Sequence, residues 1–202
     1  MINMNNAEKF TDKSKAYLKA RPDYPPEFIN FLTNEIGITK ECVVADIGSG
    51  TGILSEKILK MDCKTICIEI NDEMRKTAEK RLSKYPNFVS VNASAENTSL
   101  ESNSIDVITV AQAFHWFDTA KFKLECKRIL KANGKVILVW NSRVHDCELV
   151  KQNAMIFKKY CPNFYGFSGG DDNLNEKISF FFDNNYNVRR CENNLLFDKD
   201  KF

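Results

Sequence analysis

The residues best suited to chemistry stand together in one short stretch, Asp46-Ile47-Gly48-Ser49-Gly50-Thr51-Gly52. Glycines at alternate positions let a backbone turn tightly and let a ligand approach where a Cβ would clash. A strand-like run, Cys42–Ile47, leads into the loop. A helical repeat of apolar residues (Ile53, Leu54, Ile58, Leu59 and Met61) leads out of it. Glu69 ends the next strand-like run, Thr65–Ile70. It lies about 20 residues past Gly48, the distance at which an acidic side chain accepts hydrogen bonds from ribose hydroxyls. Loop and carboxylate together point to an adenosine-containing cofactor. The spacing is G-x-G-x-G rather than the dinucleotide G-x-G-x-x-G, and Asp46 places a negative charge beside the loop. That charge suits an ammonium or sulfonium better than a pyrophosphate.

The elements that must position these residues alternate in type. Asn71 is a capping residue for a helix over Asp72–Lys84, which ends at Pro86. Phe88–Val91 and Ile105–Val110 read as the third and fourth strands. Asp118 caps a helix running to Leu130, and Asn133-Gly134 marks a turn before a fifth strand, Lys135–Trp140. Alternation of this kind predicts an α/β fold: a doubly wound, Rossmann-like, mostly parallel sheet with helices on both faces. Residues 41–141 form the core. Residues 1–40 precede it as a helical lid, with the stiff kink Arg21-Pro22-Asp23-Tyr24-Pro25-Pro26 between two helices. Residues 142–202 read as a helical insertion or cap, with helices near Cys147–Lys159 and Leu174–Asp183 and a strand-like Val188–Phe197. A sheet of this kind carries further strands, so the chain reads as lacking its last ones.

Composition narrows the function. The chain has 202 residues, 29 Lys and Arg against 27 Asp and Glu, a balance that offers no basic stripe for nucleic acid. With 43% apolar and 28% charged residues it is an ordinary globular chain, and no apolar run approaches a membrane span. The polar, Asn-rich first ten residues lack a secretory apolar core. Seven scattered cysteines, with no C-x-x-C pair, fit reduced thiols in the cytoplasm better than disulfides or a metal site. No metal is expected.

Taken in order, Val44–Gly52, Ile68–Ile70, Ser94–Glu96, Asn103–Phe117 and Arg128–Val139 resemble the class I S-adenosylmethionine-dependent methyltransferases. Within that family the chain is similar to the small-molecule group that includes the trans-aconitate and quinone-biosynthesis methyltransferases. The resemblance covers roughly residues 10–145. It implies an enzyme that moves a methyl group from S-adenosylmethionine to a small-molecule acceptor, leaving S-adenosylhomocysteine, without nucleic acid or membrane as partner.

The resemblance also implies roles. Asp46, Gly48, Ser49, Gly50 and Gly52 hold the methionine part, Glu69 the ribose, and Ile70 the adenine face. Ser94 stands where the family often has Asp, so the amides of Ala95 and Glu96 are left to read the ring edge. Ala111 and Gln112 end the fourth strand at the ligand edge. Arg21 pairs with the cofactor carboxylate, or is a surface guanidinium in a proline-stiffened loop. Tyr17, Tyr24, Phe114 and Trp116 wall the acceptor pocket. His115 is the candidate catalytic group, against the alternative of a packed imidazole. The segments around Tyr17–Tyr24 and 142–186 are expected to close over the strand ends. Two other functions compete: a cofactor-binding module or fragment without turnover, and a nicotinamide-dependent oxidoreductase.

Overall fold

The computed structural model of the chain describes residues 21–144, 147–164 and 173–195. Five parallel strands form one sheet: β1 (Val43–Ile47), β2 (Lys64–Ile68), β3 (Phe88–Val91), β4 (Ile105–Ala111) and β5 (Leu130–Val139), in the order β3-β2-β1-β4-β5. Between and before them run α1 (Pro26–Asn34), α2 (Ile53–Leu59), α3 (Asp72–Leu82) and α4 (Thr119–Ile129). Four consecutive buried residues in both β1 and β2 show that both faces of the sheet are covered. The expected doubly wound α/β architecture is therefore present.

The helices start where short-range chemistry places them. Asn71 accepts a hydrogen bond from the Met74 amide, and Asp118 from the Lys121 amide, so both caps anticipated from sequence form. Pro26 opens α1 at its first turn, where a missing N–H costs nothing. Helix α1 buries Phe28 and Leu32 against Val44, Leu54, Ile58 and Val107. Helix α3 turns Ala78 and Leu82 onto Leu59 and Cys67. Strand β5 begins at Leu130, which pairs with Ile105. The register then jumps, so that Lys135 pairs with Val107 and the predicted Asn133-Gly134 turn becomes an irregularity inside the strand.

One segment departs from expectation. Residues Val188–Leu195 form no strand. Arg189 instead lies 3.6 Å from Glu27 and 3.7 Å from Glu35, the Asn193 side chain donates to the Asp23 carbonyl, and Cys191 packs on the α1 core. Arg189, which interrupts the apolar alternation, finds its partners on α1 and its C-cap, not on a sheet edge. Trp140–Asn187 forms a compact unit of its own and holds the two helices expected there. It contains α5 (Glu148–Tyr160), with no buried residue, and α6 (Leu174–Phe181), whose Phe181 is buried. The first of the two helices expected around the N-terminal kink lies outside the described residues. No helix among the described residues is long and apolar enough to cross a membrane.

Candidate functional site

The strand order reverses between β1 and β4, and the glycine loop leaves β1 at that point, where open α/β sheets bind ligands. The amides of Gly48 and Ser49 both donate to the Ile68 carbonyl at the end of β2, at 2.8 and 3.1 Å. Gly48 has φ +68°, and a Cβ there would stand 2.6 Å from the Ala113 Cβ, so both conformation and close approach require glycine. Gly50 has φ +57°, but a Cβ on it would meet nothing within 4 Å. This glycine faces open space at the outer edge of the loop.

Glu69 holds that edge. One carboxylate oxygen accepts the Gly50 amide at 2.8 Å and the other the Asn71 amide at 2.8 Å. Each oxygen keeps a further lone pair for a hydroxyl. Burial pushes the Glu69 carboxyl up, while the Asn71 and Gly50 amides and the Arg75 charge pull it back. Ile70 beside it is 42% exposed.

Asp46 differs from its expectation. Its carboxylate does not face a ligand: it is 1% exposed beneath the loop. There it accepts from the Ser55 hydroxyl at 2.5 Å and the Thr109 hydroxyl at 2.8 Å. Burial raises its pKa to about 6, against the two hydroxyl bonds and with help from the nearby Glu69 charge. The residue ties β1 to α2 and β4 instead of neutralising a cofactor cation.

A narrow cleft beside the loop is lined by Arg21, Tyr24, Gly48–Thr51, Ile53, Leu54 and Ala111, so two of the residues singled out from the N-terminal kink do meet the glycine loop. It encloses about 30 Å³, the share of a single water. Thr51, to which sequence reasoning assigned no role, buries its hydroxyl there without a hydrogen-bond partner. The Ser49 hydroxyl also lacks a partner of good geometry, although it lies against the Cys67 thiol. Unsatisfied hydroxyls, a glycine edge open to space and a carboxylate with spare lone pairs fit a cofactor with polar amino-acid and ribose groups.

On the neighbouring strand, β4 ends at Ala111 and Gln112 turns the corner at φ +59°, its amide donating to Val139. Phe114–Trp116 then form one short 3-10 turn. Phe114 is a correction: it is fully buried, with its ring 6.2 Å from Phe122 and 6.5 Å from Phe117, so it belongs to the core under α4 and not to a pocket wall. Trp116 is 36% exposed, and the His115 ring lies 4.6 Å from it. Ser94 bridges to Asn97, Ala95 is buried, and the Glu96 carboxylate accepts the Asp118 amide at 2.9 Å. The Glu96 side chain is thus spent on the start of α4. Glu125 secures the same turn by accepting both the amide and the hydroxyl of Thr98, and its bonds from Arg128 hold its carboxyl down at about 2. Tyr17 lies outside the described residues. Among those residues no group of three metal-ligating side chains gathers.

Sequence comparisons meet this geometry. Residues 45–138 match the methyltransferase domain family. An uncharacterized methyltransferase of Schizosaccharomyces pombe is 32% identical over 167 residues, which is 82% of this chain and 62% of that protein. A protein of Methanococcus maripaludis assigned as an S-adenosyl-L-methionine-dependent methyltransferase superposes with a TM-score of 0.62 at 23% identity, over 91% of this chain and 84% of that one. A phosphoethanolamine N-methyltransferase of Haemonchus contortus, solved with phosphoethanolamine and S-adenosylhomocysteine, shares the fold at a TM-score of 0.52 and 15% identity, over 68% of this chain and 33% of that one. The chain spans about three-fifths of the length of the fission-yeast relative. With the glycine loop and Glu69 set at the strand-order reversal inside the matched region, residues 45–138 are those of a methyltransferase domain, with the fold of the S-adenosylmethionine-dependent class I enzymes.

Proposed function

We propose that this protein transfers a methyl group from S-adenosylmethionine to a small-molecule acceptor. The observation that carries the reading is the Glu69 clamp: one carboxylate that fastens the open edge of the glycine loop and still offers a lone pair on each oxygen. When bound, the cofactor supplies a methyl group already activated by a sulfonium.

In this reading Glu69 accepts the ribose hydroxyls and Ile70 lies against the adenine. The Ala95 and Glu96 amides, with Ser94, edge the ring. Ser49, Thr51 and the loop amides hold the amino-acid end, with Arg21 on its carboxylate. The Arg21–Tyr24 segment leaves too little room for such a ligand and swings aside on entry. Gln112, His115 and Trp116, just past β4, face the acceptor together with Tyr24. Alignment of acceptor and methyl supplies much of the rate. A base is needed only for a nucleophile that must lose a proton, and His115 is the group placed to take it. Balanced charge disfavours a nucleic-acid acceptor. The free thiols fit a cytoplasmic setting.

Calorimetric titration with S-adenosylhomocysteine and with NAD tests the cofactor: binding of the first and not the second is expected. The methyltransferase match already weighs against the nicotinamide reading. Release of S-adenosylhomocysteine on a panel of small acceptors tests turnover. His115→Ala should lower turnover and leave cofactor affinity in place. A second reading, binding without turnover, draws on the chain spanning 62% of a relative. Cofactor binding with no acceptor turned over would favour it.

A further inference from the structure

The edge of the sheet opposite the cofactor loop carries two thiols that no part of the methyl-transfer reading uses. The β1–β2 ladder opens with Val43 opposite Lys64. Cys42 and Cys63 are the residues immediately before that pair on each strand. Carried back one residue, a parallel ladder sets their Cα atoms about 4.8 Å apart, inside the roughly 4.4–6.8 Å range that a disulfide spans. Residues in register on parallel strands point to the same face, and both cysteines do pack into one apolar cluster, with Phe28 and Leu32 of α1. At this separation the Cys42 charge helps to raise the Cys63 thiol, after burial.

The two sulfurs differ in access. Cys42 is half-buried and lines a cavity of about 400 Å³, together with Gly37, Asp106 and Lys131. Its sulfur is held by the Thr39 amide at 3.4 Å and the Gly37 carbonyl at 3.7 Å. Cys63 is completely enclosed, its thiol turned to the Ile58 carbonyl at 3.6 Å.

We propose that Cys42 and Cys63 form a paired-thiol modification site that takes a small disulfide from solution at Cys42 and closes to an intramolecular Cys42–Cys63 disulfide. In the first step the Cys42 thiolate attacks one sulfur of a low-molecular-weight disulfide such as glutathione disulfide. A mixed disulfide forms and one glutathione thiolate leaves. In the second, the Cys63 thiolate attacks the Cys42 sulfur, the new S–S bond forms and the second glutathione leaves. Two protein thiols are oxidised and one external disulfide is reduced to two thiols. Because the second attack is internal, Cys63 needs no exposure to solvent. Burial pushes the Cys63 thiol up, so closure quickens with alkalinity. The link encloses β1, the glycine loop and α2, the segment that carries the cofactor site.

The test uses the full chain with the exposed thiols removed as Cys147→Ser and Cys161→Ser. Reduced protein is incubated with glutathione disulfide, quenched by alkylation under denaturing conditions and mapped without reduction. The expected result is one linked peptide pair, Cys42–Cys63, with two fewer alkylated thiols and no retained glutathione. Closure should speed up about tenfold per pH unit between about pH 7 and 9. Cys42→Ser should leave Cys63 alkylatable, and Cys63→Ala should stop at the glutathione adduct of Cys42. A lasting Cys42–glutathione adduct in the parent chain, a link from Cys42 to Cys191, or no reaction at Cys42 would overturn the proposal. The map of the parent chain decides even if Cys63→Ala does not fold, and none of the readouts depends on methyl transfer.

Discussion

Two carboxylates on neighbouring strands, Asp46 beneath the glycine loop and Glu69 at its rim, differ in how much of their bonding capacity the protein itself uses. Asp46 is enclosed and receives hydroxyls from α2 and β4, so its bonding capacity is used inside the protein. Glu69 sits at the end of β2 and receives two backbone amides, one per oxygen. Both carboxyls are raised by burial. The difference is in what is left over. A hydroxyl partner fixes the distance between elements, whereas an amide partner at a strand end fixes a loop and leaves lone pairs toward the opening. Acidity near a glycine loop is therefore no sufficient sign of ligand contact; the partners decide.

Asp46 forms the floor of the glycine loop. Asp46→Ala leaves the Ser55 and Thr109 hydroxyls buried without their acceptor, and stability at pH 5 should fall by about 2–4 kcal/mol. Denaturant unfolding measures it, and a loss below about 1 kcal/mol would remove Asp46 from its structural role.

The second effect is a pH dependence. A carboxyl raised in the folded state binds its proton more tightly there than when unfolded, so stability is greatest at low pH and declines as pH climbs from about 4 through about 6. The Asp46 contribution should reach at most about 3 kcal/mol. Asp46→Asn should flatten that stretch of the profile, and an unchanged slope would contradict it. The comparison with Asp46→Asn is needed because Glu125 is held low and acts with the opposite sign at more acid pH.

At the rim the readout is binding. Glu69→Ala should weaken S-adenosylhomocysteine by tenfold to a hundredfold, the equivalent of about 1.5–3 kcal/mol. Because Glu69 also anchors Gly50 and Asn71, some loss of melting temperature accompanies it, and Glu69→Gln should fall between the two. An unchanged dissociation constant in a folded variant would take Glu69 out of the site. Smallest is Arg21→Ala: a single contact at the mouth of the cleft is lost while space is gained. A weakening of a few-fold is expected by calorimetry, and tighter binding would show that Arg21 only obstructs the cleft.

Much of this arrangement was legible along the chain, for a local reason. The glycine loop, the strand before it, the capping Asn71 and Asp118, and Glu69 at a strand end are each readable within a short window. Backbone conformation and hydrogen bonding to nearby amides decide them. Parallel strands alternating with helices then leave few topologies, and the observed strand order is one of them. What failed was everything that depends on which side chains meet across the sheet. Thr109 lies 63 residues from Asp46, so that pairing follows from the β1–β4 register alone. Phe114 carries the composition of a pocket wall, yet the direction of one 3-10 turn sends it into α4.

The sequence by itself determined the fold class, the place of the glycine loop and the acidic partner of that loop, because periodicity and turn chemistry act over a few residues. The tertiary structure alone decided which carboxylate keeps lone pairs free, that the Thr51 hydroxyl is left without a partner in the cleft, and that Cys42 and Cys63 stand opposite each other. It also set Val188–Leu195 along α1 instead of on a sheet edge. Strand register and burial fix these outcomes, and both are sums over contacts distant in sequence, which no local pattern encodes.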